Sequence, residues 1–359
     1  MERSVLILGG SGQAGAGTAT LLRRWYPDLP LTIAGRDLGR ARRVADELGG
    51  AAATTIDLRR CDLGLQETED YSAVVATLWD SHLNGLRFAQ DRGLPYVSIS
   101  SGLVDIGPEV VAAGLRAGAT PILLASHWYA GLVVLAVLGL AREFDRLDTI
   151  EVSGVLDEQD GGGPAAMEDM ERLLAATSAG HVRRDGVFHW ISGPDTEVEV
   201  TGVDGTVLPG QIVPILDVPS LALATGAPNV RFAFAIGESV GRRRGGPASA
   251  EVRIDLEGVD RAGAPLRTSR YLFHPEGQRP LTALGVALGV ERLLGLRGAP
   301  VPPGLHTPEA LIDPGYAAER MAEIGATFDG ALPCPLPVAA TDCRLQSRQT
   351  TTPSAALGG

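Results

Sequence analysis

The stretch SVLILGGSGQAG, Ser4–Gly15, decides the fold. Ser4–Leu8 is a short continuous apolar run, as expected of a strand buried on both faces of a parallel sheet. The turn after it carries Gly10-x-Gly12-x-x-Gly15, and a helical pattern continues to about Trp25 before Pro27 closes it. Strand, Gly-x-Gly-x-x-Gly turn and helix in that order make a dinucleotide-binding unit. Gly10 would allow the tight turn, Gly12 the approach of a pyrophosphate, and Gly15 close packing of helix on strand. Gly10, Ser11, Gly12, Gln13, Ala14 and Gly15 would hold the phosphates, with the helix N-terminus presenting backbone N–H groups.

The same rhythm continues outward. Leu31–Ala34 is a second apolar run and Arg40–Leu48 a second helical pattern; Thr54–Leu58, Ala73–Leu78, Tyr96–Ile99 and Thr120–Ala125 read as further strands. Helical patterns at Gly85–Arg92 and Val110–Ala117 fall between them. Alternation at this spacing predicts a Rossmann doubly wound parallel sheet over residues 1–127. The rhythm changes near residue 127. A long apolar helix over Gly131–Phe144 leads into runs of alternating polar and apolar residues. These predict a second, α+β domain over 128–280 with a mostly antiparallel sheet, serving substrate binding or dimerisation. Residues 281–328 read as C-terminal helices packing back on the first domain. Residues 333–359, rich in Pro, Thr, Ser and Ala without periodicity, read as a flexible tail.

Where an acidic residue at the end of strand two would select NAD through its ribose hydroxyl, the chain has Ala34-Gly35-Arg36-Asp37. An arginine there can pair with a 2′-phosphate and stack on adenine, which predicts NADP(H) as cofactor. Asp57, read as the end of strand three, could accept from the adenine amino group or simply cap a turn. Leu78 and Trp79 follow strand four and complete the predicted cofactor contacts.

Composition narrows the chemistry. With 359 residues, 45% hydrophobic and 21% charged, the chain can bury the cores of two domains. A net charge of −12 argues against nucleic acid and anionic membranes as partners. All 31 basic residues are arginine. Without lysine there is no Schiff-base nucleophile, no pyridoxal phosphate anchor and no Tyr-x-x-x-Lys dyad. Three scattered cysteines match no disulfide framework or zinc spacing, so no metal is expected. Met1–Leu8 is too short for a signal peptide, and the longest apolar stretch, Trp128–Ala141, falls short of the roughly 20 residues that span a bilayer. A soluble, cytoplasmic protein is the expectation.

VLILGGSGQAG, LTIAGRDLGRARRVADELGG and a strand ending Ile56-Asp57 together resemble the NADP-binding domain of the saccharopine dehydrogenase-like family. Ser269–Leu294 is similar too: His274-Pro275-Glu276-Gly277 ends a strand and Thr282-Ala283 opens a helix. Pro303-Gly304 and Thr307-Pro308-Glu309 continue the likeness, which spans most of residues 1–328. The resemblance implies a homodimeric, NADPH-dependent oxidoreductase. Its substrate would be an amino-acid-derived imine carrying a carboxylate, or the secondary amine in the reverse direction. Reduction of a C=O or C=C bond, or a sensor that holds NADP without turnover, are the alternatives.

Two loops depart from the family pattern: Leu78-Trp79-Asp80-Ser81-His82 after strand four, and Ser126-His127-Trp128-Tyr129-Ala130-Gly131 after strand six. Both lie at carboxyl ends of strands, where ligands bind in open α/β sheets. They concentrate Asp80, His82, His127 and Tyr129, the candidates for the proton donor. A histidine in that role is expected to titrate near 6–7. Arg242-Arg243-Arg244 could be a solvated loop or could meet a substrate carboxylate.

Overall fold

The computed structural model describes residues 3–99, 101–161 and 163–329; the expected tail, 333–359, lies outside the described residues. The first half runs β1 (Ser4–Leu8), α1 (Gln13–Trp25), β2 (Leu31–Gly35), α2 (Leu38–Leu48), β3 (Ala52–Thr55), β4 (Tyr71–Ala76), α3 (Asn84–Arg92), β5 (Tyr96–Ser98), α4 (Ile106–Leu115) and β6 (Pro121–Leu124). Val5, Leu6, Ile7 and Leu8 are all fully buried. That is why β1 shows no alternation: both faces of a parallel sheet are covered by helices.

The second half runs α5 (Leu132–Ala141), β7 (Phe144–Leu156), α6 (Gly163–Ala176), β8 (Gly180–Arg184), β9 (Val187–Ile191), β10 (Glu197–Thr201), β11 (Val207–Ile212), α7 (Asp217–Thr225), β12 (Asn229–Ile236), α8 (Val240–Arg243), β13 (Ala250–Asp260) and β14 (Pro265–His274). It closes with α9 (Arg279–Leu293), β15 (Gly304–His306), α10 (Pro308–Leu311), α11 (Pro314–Glu323) and β16 (Thr327–Asp329).

The first sheet has the order β15-β6-β5-β4-β1-β2-β3, every pair parallel. This is a Rossmann-type sheet with its switch between β1 and β4, so the carboxyl ends of those strands frame the crevice. The second sheet follows β10-β11-β12-β7-β13-β14-β16 and is mixed: β12 and β7 are parallel, the other pairs antiparallel. The chain is thus a Rossmann doubly wound sheet joined to an α+β unit.

The carboxyl-terminal segment supplies strands as well as helices. β15 adds a seventh strand beside β6, and β16 pairs with β14 on the second sheet. Between them, α9 packs against α1, where Thr18 Oγ1 donates to the Ala283 carbonyl at 3.3 Å. The apolar faces of α5 and α9 share one core with both sheets. Among the described residues no helix is long and apolar enough to cross a membrane.

Candidate active site

The glycine loop is built by close backbone approach. Gly9, with φ +78°, makes the left-handed turn that the sequence reading gave to Gly10. Gly10 needs to be glycine for a different reason: a Cβ there would stand 2.8 Å from the Ile7 carbonyl. At Gly15 a Cβ would meet the Gly9 carbonyl at 2.6 Å and the Gly10 Cα at 2.7 Å. The Thr77 hydroxyl donates to the Leu8 carbonyl at 2.9 Å, tying the end of β4 to this turn, and Leu78 lies against Gly9. Gly12 caps α1 with no side-chain hydrogen bond, and no acidic residue sits in the first turn. The N–H groups of Gln13, Ala14 and Gly15 therefore open α1 without a competing carboxylate, an arrangement suited to an anion.

Ser11 faces Gly35, its Oγ 3.4 Å from where a Cβ would lie, so the loops after β1 and β2 are neighbours. Arg36 is exposed just past β2, and among the described residues it has no ion-pair partner. Asp37 is occupied capping α2, accepting from the Arg40 amide at 3.1 Å. Asp57 lies beyond the end of β3, in a turn. Its carboxylate accepts from Nε and Nη2 of Arg59, at 3.0 and 3.1 Å, which hold it below the usual carboxylate range.

After β4, Trp79 is half exposed and His82 exposed, whereas Asp80 is buried. Asp80 accepts from the His82 amide at 3.1 Å and the Gly85 amide at 2.6 Å, and so anchors the start of α3. Burial pushes its carboxyl up against those bonds. Tyr96 and Glu109 are buried beside it, and Glu109 is raised in the same way by burial.

The loop after β6 is strained. Tyr129, Ala130 and Gly131 have φ of +51°, +54° and +93°, three consecutive left-handed residues. For the two with side chains this costs about 1–2 kcal/mol each, which the packing must offset. Gly285 on α9 allows the fit, since a Cβ there would stand 2.6 Å from the Tyr129 carbonyl. Pro308 presses on Gly131 from the other side. Trp128 packs tilted against Phe232 and stacks on Phe234 of β12, with ring centroids 5.2 and 6.1 Å away. This places the loop between the two sheets.

His127 is 93% shielded, and its Nε2 meets the Ser220 hydroxyl at 2.8 Å. Burial, opposed weakly by the Glu309 charge, lowers it to about 4. It is a neutral imidazole through the physiological range, in place of the group titrating near 6–7 that its sequence position suggested. Tyr129 is buried and its hydroxyl raised, first by burial and then by the charges of Asp160 and Glu251.

One turn before Ser220 on α7, Asp217 is fully buried. Its Oδ2 accepts from the Trp128 amide at 2.9 Å; its Oδ1, like His127 Nδ1, has no described partner. A lone carboxylate out of water neutralises, and burial lifts Asp217 to about 8.

The structure thus joins His127 and Trp128 to α7, a contact the sequence reading missed. The available signal was a lone aspartate within the apolar run 212–224. It does not join them to Asp80 and His82. β5 lies between β4 and β6, so the two loops are two strand spacings apart, about 10 Å. The arginine run is engaged elsewhere. Arg242 pairs with buried Asp157 at 2.7 Å and Arg243 with Asp204 at 2.8 Å. Among the described residues no group of histidines, cysteines and carboxylates could hold a metal ion.

This architecture has known counterparts. The chain superimposes on apo saccharopine dehydrogenase (L-Glu forming) from Saccharomyces cerevisiae with a TM-score of 0.64, covering 91% of this chain and 99% of the yeast chain at 13% identity. A probable dehydrogenase from Thermotoga maritima matches with a TM-score of 0.47 at 10% identity, over 90% of this chain and 98% of that one. A myo-inositol dehydrogenase from Corynebacterium glutamicum ATCC 13032 matches with a TM-score of 0.46 at 13% identity, over 90% and 96%. No family model matches the chain, and no curated protein sequence matches it significantly. At these identities the shared property is the fold: the chain is saccharopine dehydrogenase-like in architecture.

Proposed function

We propose that the protein is an NADP(H)-dependent oxidoreductase that reduces the C=N bond of an amino-acid-derived imine, or oxidises the corresponding secondary amine. The observation carrying this reading is the glycine loop. Its backbone approach leaves no room for side chains at Gly10 and Gly15, and it ends in an uncapped helix N-terminus. That cradle fits a pyrophosphate. Ser11, Gly12, Gln13 and Ala14 would surround the phosphates, and exposed Arg36 would take a 2′-phosphate. Asp57, Leu78 and Trp79 would border the adenine and nicotinamide ends. When bound, the nicotinamide would supply the hydride.

The chain's own contribution is orientation and a proton. Tyr129 keeps its proton at every physiological pH, because burial and the nearby carboxylates raise it. Kept protonated in this way it would offer a hydrogen bond to a substrate nitrogen, with neutral His127 fixing the loop through Ser220. Asp80 supports the facing loop by anchoring α3, and exposed His82 could assist a substrate from solvent. The fold shared with the yeast saccharopine dehydrogenase favours a C–N substrate over a C=O or C=C bond.

Cofactor titration tests the reading. Arg36→Ala should weaken NADPH binding by about 1.5–3 kcal/mol, the scale of a charge-assisted bond, and leave NADH nearly unchanged. Equal losses for both cofactors would remove Arg36 from recognition. NADPH oxidation against a panel of carboxylate-bearing amine and carbonyl pairs then tests the chemistry. Tyr129→Phe should lower turnover by about 10²–10⁴-fold with NADPH affinity retained. Full turnover in Tyr129→Phe and in His127→Asn, both melting like the parent protein, would move the donor to the loop after β4.

A further inference from the structure

Helix α6 reaches across the carboxyl ends of the first sheet. Its first residue, Gly163, lies against the phosphate loop; a Cβ there would stand 3.5 Å from the Gln13 side-chain amide carbon. Nine residues on, the Arg172 guanidinium sits 3.9 Å over the Trp79 ring. Its Nε is 3.2 Å from Asp105, just before α4, and Asp169 pairs with it from the preceding turn. At 1.5 Å of rise per residue the two anchor points are about 13 Å apart along the helix. The helix therefore runs from the loop after β1 to the loops after β4 and β5. A dinucleotide seated on the glycine loop would extend along the same line.

The helix is lightly held. No described side chain in α6 is buried. Ala166, Asp169, Met170, Arg172 and Leu173 are half-buried on one side, while Met167 and Leu174 are 57% and 64% exposed on the other. The chain before it is firmly fixed: Asp160 accepts from the Gln278 amide at 2.8 Å, and the Gln278 side chain donates back to the Asp160 carbonyl at 2.8 Å. A rigid root followed by an element with few buried contacts is the arrangement of segments that open locally.

We propose that α6 is a hinged cover over the nicotinamide end of the dinucleotide site, latched by Arg172 on Trp79, and that it lifts for NADP(H) to enter and leave. This rests on the cofactor reading above. Arg172 is then a positioning residue, acting through Trp79 and α6. Closure lays the guanidinium on the indole, brings Asp105 against it, and excludes water from the strand ends where hydride would move.

Stopped-flow fluorescence of NADPH binding to the full chain tests the cover. In the parent protein the observed association rate should level off at high NADPH, reporting opening of α6. Arg172→Ala should raise both that plateau and the NADPH dissociation rate by about tenfold, the effect expected on losing a stacked guanidinium. The double variant Met167→Gly/Leu174→Gly, which loosens α6 at exposed positions, should shift both rates the same way and decides the matter if Arg172→Ala does not fold. Unchanged dissociation in these variants, with NADPH still bound, overturns the cover and leaves the oxidoreductase reading standing. A parent protein that binds no NADPH overturns that reading, and the cover with it.

Discussion

Asp217→Asn should abolish a loss of stability that the parent protein suffers as pH rises from about 6.5 to 8. Folded Asp217 holds its proton up to about 8, against 3.8 when exposed. Between those values the folded chain carries a proton that the unfolded chain has released, so stability falls with rising pH by about 1.4 kcal/mol per unit. His127 works in the opposite sense. It titrates at about 4 when folded and 6.5 when free, so over that window the unfolded chain binds the extra proton and stability rises with pH. The two slopes offset each other from about 4 to 6.5, leaving a net loss of about 2 kcal/mol between 6.5 and 8. Asparagine keeps an acceptor for the Trp128 amide and has no proton to lose. Urea melts from pH 5 to 9 should therefore show the alkaline decline in the parent, and in the variant a rise from His127 up to about 6.5 followed by a plateau. An equal decline in both would place its origin in another group.

Gly15→Ala and Gly12→Ala should separate two roles of one loop. At Gly15 the new methyl group would collide with the Gly9 carbonyl and the Gly10 Cα, both backbone, and with the Thr77 hydroxyl at 2.9 Å. The two backbone groups cannot rotate away, so β1 and α1 must move apart. A stability loss of about 1–3 kcal/mol follows, and NADPH affinity should fall at least ~100-fold because the loop amides lose their alignment. At Gly12 the only close atom among the described residues is the Gly9 carbonyl at 3.1 Å, and the backbone conformation, φ −82° and ψ 173°, suits any residue. Gly12→Ala should melt like the parent and still bind NADPH poorly, since the methyl group occupies the pyrophosphate's approach. Parent-like NADPH affinity in Gly12→Ala would place the phosphates elsewhere.

What was legible in the sequence depended on how local the cause was. Ser4–Leu8 and the turn after it obey short-range rules, and β1, the glycine loop and α1 lie where those rules put them. The strand expected at Thr54–Leu58 is Ala52–Thr55. The turn that Asp57 joins, with its amide on the Leu63 carbonyl at 3.0 Å, ends the strand early. The helix expected over Gly131–Phe144 shrinks to Leu132–Ala141, because an unbroken apolar run carries no period to mark its ends. Phe144 instead begins β7. β15 was unreadable: three residues have no period, and the partner, β6, lies some 180 positions earlier. At the site, the left-handed turn at Tyr129 and Ala130 has no sequence signature, since it is imposed by Gly285 and Pro308 from distant segments. In the sequence nothing marks Arg172 off from the other charges of its helix. Only its place opposite Trp79 sets it apart.

The placement of α9 and β15 governs how this chain can be made. Eleven of the fifteen residues of α9 are buried, with Gly17 on α1, Leu123 on β6 and Ala130 in the strained turn among their neighbours. During synthesis β1 to β6 leave the ribosome well before α9, and that flank of the first sheet stays uncovered while the whole second sheet is translated. Early hairpins such as β8 with β9 can form at once; the first sheet must wait for a segment translated some 150 residues later. A nonsense mutation near codon 280 would therefore strip the amino-terminal half of its cover as well as removing the carboxyl-terminal segment. A shortened product of that kind, with its apolar flank open to water, is a natural target for chaperones and proteases.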